Sequence, residues 1–198
     1  MLVVPTNASN DGQFDGKSTN EVDNYLVQSC LQGDTRSFRL LYRRHSDKVR
    51  SILYQLCNNY YLDDLVQEVF LRAWKGLPKF QGTATFSTWL YRITLNVASD
   101  QRKAAAQQRK QLQTLTVKAA RQQDAPDLME LHYQDLLQRA LASLSFDHQT
   151  ILVLHDLEGV PQKEIASILF IPVGTVKSRL FHARAAIRQF LQDQGVQI

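Results

Sequence analysis

The chain has 198 residues, with 23 Lys and Arg against 19 Asp and Glu, a formal net charge of +4 and two cysteines. That length supports one ordinary domain or two small ones. No apolar run approaches the ~18 residues of a membrane span, and Cys30 and Cys57 form no CxxC pair, so neither a membrane protein nor a disulfide scaffold is expected.

Residues 1–22 hold Asn, Asp, Gly, Ser and Thr with little apolar content after Val4, and read as a disordered leader. No basic region followed by an apolar core opens the chain, so no secretory signal is expected and the protein reads as cytoplasmic, with buried free thiols. From Glu21 a short helix carries Tyr25, Leu26 and Leu31 and ends at Gly33. Asp34 is placed to cap the next helix, in which Phe38, Leu41, Tyr42, Val49, Ile52, Leu53 and Leu56 recur at helical spacing until Asn58 and Asn59. A third helix spans Asp63 to Lys75, with Leu65, Val69, Phe70, Ala73 and Trp74 on its apolar face and Gly76 and Pro78 as its stop. The loop 79–85, KFQGTAT, leads into FSTWLYRITLNVASDQRK, which reads as a long helix. Phe86, Trp89, Leu90, Ile93 and Val97 face inward in it, and Tyr91, Arg92, Asn96, Asp100 and Arg102 outward.

Residues 105–133 are rich in Ala, Gln, Lys and Arg without a core stripe and read as a linker. Helical periodicity resumes at Gln134. Leu136, Leu137, Leu141 and Leu144 mark one helix. Asp147 is placed to cap a second, which buries Ile151, Leu152, Leu154 and Leu157 and ends at Gly159. Pro161 opens a third, around Ile165, Ile168 and Leu169. A fourth buries Val176, Leu180, Ala183, Ile187 and Leu191. No segment shows sustained strand alternation. The expected fold is all-α: two small helical domains, 23–104 and 134–194, joined by a flexible linker.

The C-terminal pair of helices carries the sharpest local signal. Pro161 to Gln192 holds a short helix, a tight turn where Gly174 supplies conformational freedom, and a longer basic helix. Thr175, Lys177, Ser178, Arg179, Phe181, His182 and Arg184 lie outside the buried stripe of that helix. They are a set able to bond phosphates and base edges in a major groove. Basic clusters at 36–50 and 92–121 add to the impression of a long polyanionic partner, although any one of them suits a solvated helix face equally well.

LEGVPQKEIASILFIPVGTVKSRLFHARAAI resembles the second DNA-binding domain of bacterial RNA polymerase sigma factors of the sigma-70 family, extracytoplasmic-function (ECF) subfamily. DDLVQEVFLRAWKGLPKF followed by FSTWLYRITLNVASDQRK is similar to that family's first domain. Phe170 departs from the pattern, since relatives commonly carry glycine or another small residue at that turn. The resemblance implies that 23–104 docks on core RNA polymerase and opens the minus-10 element, and that 134–194 reads the minus-35 element. It implies a polymerase face at Asp63, Asp64, Gln67, Glu68 and Arg72, against a coiled coil of the largest catalytic subunit. It implies minus-10 contacts from Lys79, Phe80, Gln81, Gly82, Thr83, Thr85, Tyr91, Arg92, Asn96 and Arg102, and minus-35 contacts from the seven residues of the last helix named above. Promoter DNA and core polymerase are the partners so implied, and an anti-sigma factor is a family expectation. A regulator that binds duplex DNA without acting as a polymerase subunit is the alternative; it leaves the 63–103 similarity without a purpose. Catalysis is not expected, nor any cofactor. The histidines at 45, 132, 148, 155 and 182 are scattered, no metal-ligand spacing occurs, and no glycine-rich phosphate loop appears.

Overall fold

A computed structural model describes residues 19–57, 61–115 and 128–196, and among them the backbone is helical with no strand. The helices are α1 (Thr19–Leu31), α2 (Thr35–Cys57), α3 (Leu62–Gly76), α4 (Phe86–Leu115), α5 (Leu128–Ala142), α6 (Phe146–Leu152), α7 (Gln162–Leu169) and α8 (Val173–Asp193). The leader up to residue 18, the expected stop at Asn58 and Asn59, and the middle of the expected linker, 116–127, lie outside the described residues.

Helices α1 to α4 pack as one bundle because each carries an apolar stripe at helical spacing. Leu26, Ile52, Leu53, Val69, Phe86 and Leu90 meet at its centre and are almost entirely removed from water. Gln32 and Gly33 turn the chain between α1 and α2. Asp34 then accepts from the backbone N–H of Arg36 at 3.0 Å and from the Ser37 hydroxyl at 2.8 Å, and these bonds hold its carboxyl below the usual range. The buried Asp23 of α1 accepts from Arg44 Nε at 2.9 Å and pairs with His45 Nε2 at 2.8 Å. Its charge is thereby matched inside the bundle, and the register of α1 on α2 is fixed. Tyr25 and Leu31, expected on the apolar face of α1, stand outside it; Val22, Leu26, Val27 and Cys30 face the core instead. Both cysteines are free, and burial pushes each thiol up to about 11, so neither is a thiolate near neutrality.

The C-terminal helices α5 to α8 bury Leu141, Ile151, Leu154, Ile165, Val176 and Leu180 in an apolar core continuous with that of α1 to α4. Ser145, not Asp147, caps α6: its hydroxyl accepts from the backbone N–H of His148, and Asp147 stands in the first turn. Ser145 has the extended backbone of a cap, with φ −61° and ψ 153°. Ser145→Ala is expected to lower unfolding stability by about 1 kcal/mol, read as a shifted urea midpoint with an unchanged slope.

Beyond α6 the chain winds one wide π turn, Val153–Leu157. The extra residue in that turn rotates Leu157 out of the core, where the periodicity had placed it; Leu157 is exposed. The two ends of the expected linker are described, and its middle is not. α4 continues to Leu115 and α5 begins at Leu128, so both ends of 105–133 are helical. Ala, Gln, Lys and Arg are strong helix formers and extend a helix without needing a stripe to bury.

The turn between α7 and α8 does not use Gly174, which lies inside α8. Its left-handed residue is Phe170, at φ 55° and ψ 42°, the sole described non-glycine residue with positive φ. A side chain there costs roughly 1–2 kcal/mol relative to a right-handed backbone. Among the described residues, no helix is long and apolar enough to cross a membrane.

Candidate nucleic-acid interface

Three surfaces gather the residues singled out by the sequence. The first is the outer side of α3. Asp64 and Gln67 are exposed there. Asp63 is ion-paired with Arg50 of α2. Glu68 accepts from Arg72 Nε at 2.8 Å, and Arg72 Nη1 donates to Asp100 of α4 at 2.9 Å; these bonds, that to Asp100 foremost, hold the guanidinium above its ordinary range. Between α2 and α3 runs a groove lined by Phe38, Tyr42, Phe70, Leu71 and Trp74, with Arg50, Asp63 and Gln67 at its polar margin. Trp74 packs edge-on against Phe38 at 4.8 Å between ring centroids, and Tyr42 lies 4.6 Å from Phe70. Leu71 at 44% and Trp74 at 39% exposure make this an apolar surface rimmed by charge, the form of a protein-docking site. Phe70 is buried as its spacing predicts, whereas Trp74, expected on the same apolar face, is exposed, and Leu71 beside it carries no such expectation. The available signal was an apolar stripe on α3 wider than one buried face requires.

The second surface is the loop before α4 and the first turns of that helix. Lys79, Gln81 and Thr83 are exposed on the loop. Gly82 sits at φ 68°, a conformation that suits glycine. Phe80 is half-buried, its ring 5.0 Å from Trp89 and 6.3 Å from Phe86, so it anchors the loop to the core. Thr85 caps α4: its hydroxyl accepts from the Thr88 backbone N–H at 3.2 Å. Asn96 is exposed.

Tyr91 corrects the expectation of an outward side chain. It is 4% exposed, on a stripe with Leu95 and Ala98 that α4 also buries, and burial together with nearby carboxylates raises its phenol well above the ordinary range. It supports the face from beneath.

Arg92 and Arg102 are engaged by the C-terminal half. Arg92 Nη2 donates to the Ser167 carbonyl at 2.6 Å, and its guanidinium lies 3.9 Å from the centre of the Phe170 ring. Arg102 Nη1 donates to Leu56 O at 3.3 Å and to Gln149 Oε1 at 2.5 Å.

The third surface is α8. Val176, Leu180 and Ala183 are buried against α6 and α7, which leaves the opposite side of the helix to solvent. Lys177, Ser178, Phe181, His182 and Arg184 are exposed, and Thr175 and Arg179 are half-exposed. Arg179 reaches Asp147 of α6 at 3.0 Å. Arg184 donates to both carboxylate oxygens of Asp156, at 2.8 and 2.6 Å, and this fork holds the Asp156 carboxyl below its usual range. The folded pKa of Asp156 is depressed, so its contribution to stability is present above the unfolded value near 3.8 and is lost as pH falls through the folded value. Asp156→Asn is therefore expected to be less stable than the parent by roughly 0.5–1 kcal/mol at pH 7, the order of an exposed pair, with the difference vanishing in acid; matched urea titrations at the two pH values check this.

The Sigma-70 region 2 family pattern matches residues 41–108, and the Sigma-70, region 4 pattern matches residues 134–187. The ECF RNA polymerase sigma-E factor of Haemophilus influenzae is 32% identical over 180 residues, covering 86% of this chain and 95% of its own. That of Escherichia coli K12 is also 32% identical, over 86% of this chain and 94% of its own. Among solved structures, CnrH in complex with the cytosolic domain of CnrY superposes with a TM-score of 0.69 at 24% identity, over 87% of this chain and 98% of that one. The sigma factor RpoE in complex with the anti-sigma factor NepR from Bartonella quintana gives 0.63 at 23% identity, over 80% and 98%.

Proposed function

The chain belongs to the ECF subfamily of the sigma-70 factors, the subunits that direct RNA polymerase to promoters, and we propose which of its surfaces performs each part of that work. The α3 surface docks on core polymerase. Asp63 and Gln67 at the margin of the groove, with Asp64, Glu68 and Arg72 on the same helix, orient a basic coiled coil, and Leu71 and Trp74 give the apolar centre where binding energy concentrates.

Promoter opening falls to the loop 79–85 and to α4. Holding an unpaired strand needs cations along its backbone and shaped, polar recesses for its bases. Lys79, Gln81 and Thr83 are exposed on the loop, Gly82 lets the backbone come close, and Asn96 and Arg92 continue the surface along α4. Phe80, Thr85 and Tyr91 hold the shape of this surface rather than its outer face. The minus-35 duplex is read by α8, through Thr175, Lys177, Ser178, Arg179, Phe181, His182 and Arg184.

The observation that supports this division is the apolar groove on α2 and α3, on a different element from the basic helix α8. A regulator acting on duplex DNA alone has a use for α8 and none for the groove. The chain acts as a binding subunit and not as an enzyme, in the cytoplasm where polymerase and chromosome meet. An anti-sigma factor, the kind of partner described for the RpoE chain, is proposed for this one too.

The test is permanganate probing of unpaired thymines on a genomic promoter fragment bound by core polymerase and the chain. Gln81→Ala and Asn96→Ala are expected to reduce reactivity around minus-10 while leaving core binding intact. Unchanged reactivity in both variants contradicts the assignment of this surface.

A further inference from the structure

Arg92, on the surface assigned to strand capture, is covered by the helix-turn-helix of the same chain. The Phe170 ring lies against its guanidinium, the Ser167 carbonyl accepts from Nη2, and Nε is buried without a partner. One turn earlier on α4, the Ser87 and Thr88 hydroxyls donate to a single carboxylate oxygen of Glu164, at 3.4 and 3.2 Å. These groups are the ones a nucleic acid strand would offer. Glu164 stands where a phosphate would accept hydrogen bonds, and Phe170 stacks on the arginine as an unpaired base would.

We propose that α7 and Phe170 form an internal mimic of the captured strand, which masks the minus-10 surface of the chain until polymerase separates the two halves. The proposal rests on the role given to Arg92 above. Polar contacts continue the junction beside an apolar core that the two halves share. Ser51 bonds Glu158, Gln149 Nε2 donates to Gln55 O at 2.8 Å, and Arg102 bonds Gln149. The orphaned Arg92 Nε is a buried donor that opening returns to water. The turn between α7 and α8 needs a left-handed residue, a role glycine fills with less strain, and the phenylalanine there supplies the ring on Arg92.

The full-length chain carrying donor and acceptor dyes at positions 75 and 188 reports closure by energy transfer. A mixed-sequence single-stranded DNA oligonucleotide reports access to the strand surface. Phe170→Gly is expected to lower transfer and to tighten oligonucleotide binding roughly 3- to 10-fold, the scale of one cation–π contact. Phe170→Tyr, which keeps the ring, is expected to behave as the parent. Glu164→Gln, a milder change at a half-buried position of α7, is expected to shift both readings in the same direction by less, and stands alone if Phe170→Gly fails to fold. Unchanged transfer in folded Phe170→Gly and in Glu164→Gln overturns the mimic, as does low transfer in the parent chain. Reduced transfer with no gain in oligonucleotide binding supports the closure and overturns instead the assignment of Arg92 to strand capture.

Discussion

Replacing Arg179 with alanine is expected to weaken binding to a minus-35 duplex by roughly 1–3 kcal/mol, which is about 5- to 150-fold in affinity. The size follows from position and chemistry. Val176, Leu180 and Ala183 lock one side of α8 into the core, so Arg179 projects from a rigid element with its guanidinium partly in water. A forked cation held this way can meet two acceptors of one base edge. In the free chain it meets Asp147 at 3.0 Å, an exposed pair that contributes little to stability. The substitution is therefore expected to leave the melting curve nearly unchanged. Binding titrations at one fixed salt concentration check it, with Arg109→Ala as the comparison. Arg109 lies in α4 beyond Arg102, and its loss is expected to cost less. Equal losses from the two substitutions contradict the minus-35 assignment.

The second large effect is expected at Leu71. Leu71→Glu places a carboxylate in the apolar centre of the α2–α3 groove, beside Trp74 and Phe70. A desolvated central residue of an interface typically contributes 2 kcal/mol or more, so affinity for core polymerase is expected to fall at least about 30-fold. Leu71 is 44% exposed in the free chain, so folding is expected to tolerate the change, with stability altered by about 0.5 kcal/mol or less. Duplex binding by α8 should be retained. Analytical ultracentrifugation or interferometry with immobilised core polymerase reads the loss. A variant that binds core polymerase as the parent does, with its helicity intact, contradicts the docking face. The pair of substitutions separates the two jobs: Leu71→Glu removes polymerase and keeps duplex, and Arg179→Ala does the reverse.

The helical elements were legible because their apolar spacing is strong. α3 runs over Leu62–Gly76 where Asp63 to Lys75 was expected, and the buried stripe of α8 begins Val176, Leu180 and Ala183 as the spacing indicates. The misreadings share a cause: each depended on a neighbour that local spacing does not show. Tyr91 lies on a stripe that looks polar by composition, yet α4 is packed on more than one side and draws it in. Leu157 fits an α-helical period, but the π turn at Val153–Leu157 changes the period just before it. Trp74 falls on the apolar face by spacing yet stands 39% exposed, because it lines a groove open to solvent beside Leu71. Glycine accepts a left-handed backbone most readily, which points to Gly174 for this turn; the chain instead places Phe170 there, and its ring finds Arg92 across the junction. The contacts of Arg92 and Arg102 with the second half join residues about 47 to 75 positions apart, which no local pattern encodes.

Transcription initiation tests the sigma-factor role most directly. Core RNA polymerase supplied with this chain, on genomic promoter fragments, is expected to start transcripts at discrete positions, and neither component alone is expected to do so. Absence of specific starts on every template, alongside tight duplex binding by the chain without polymerase, would contradict it.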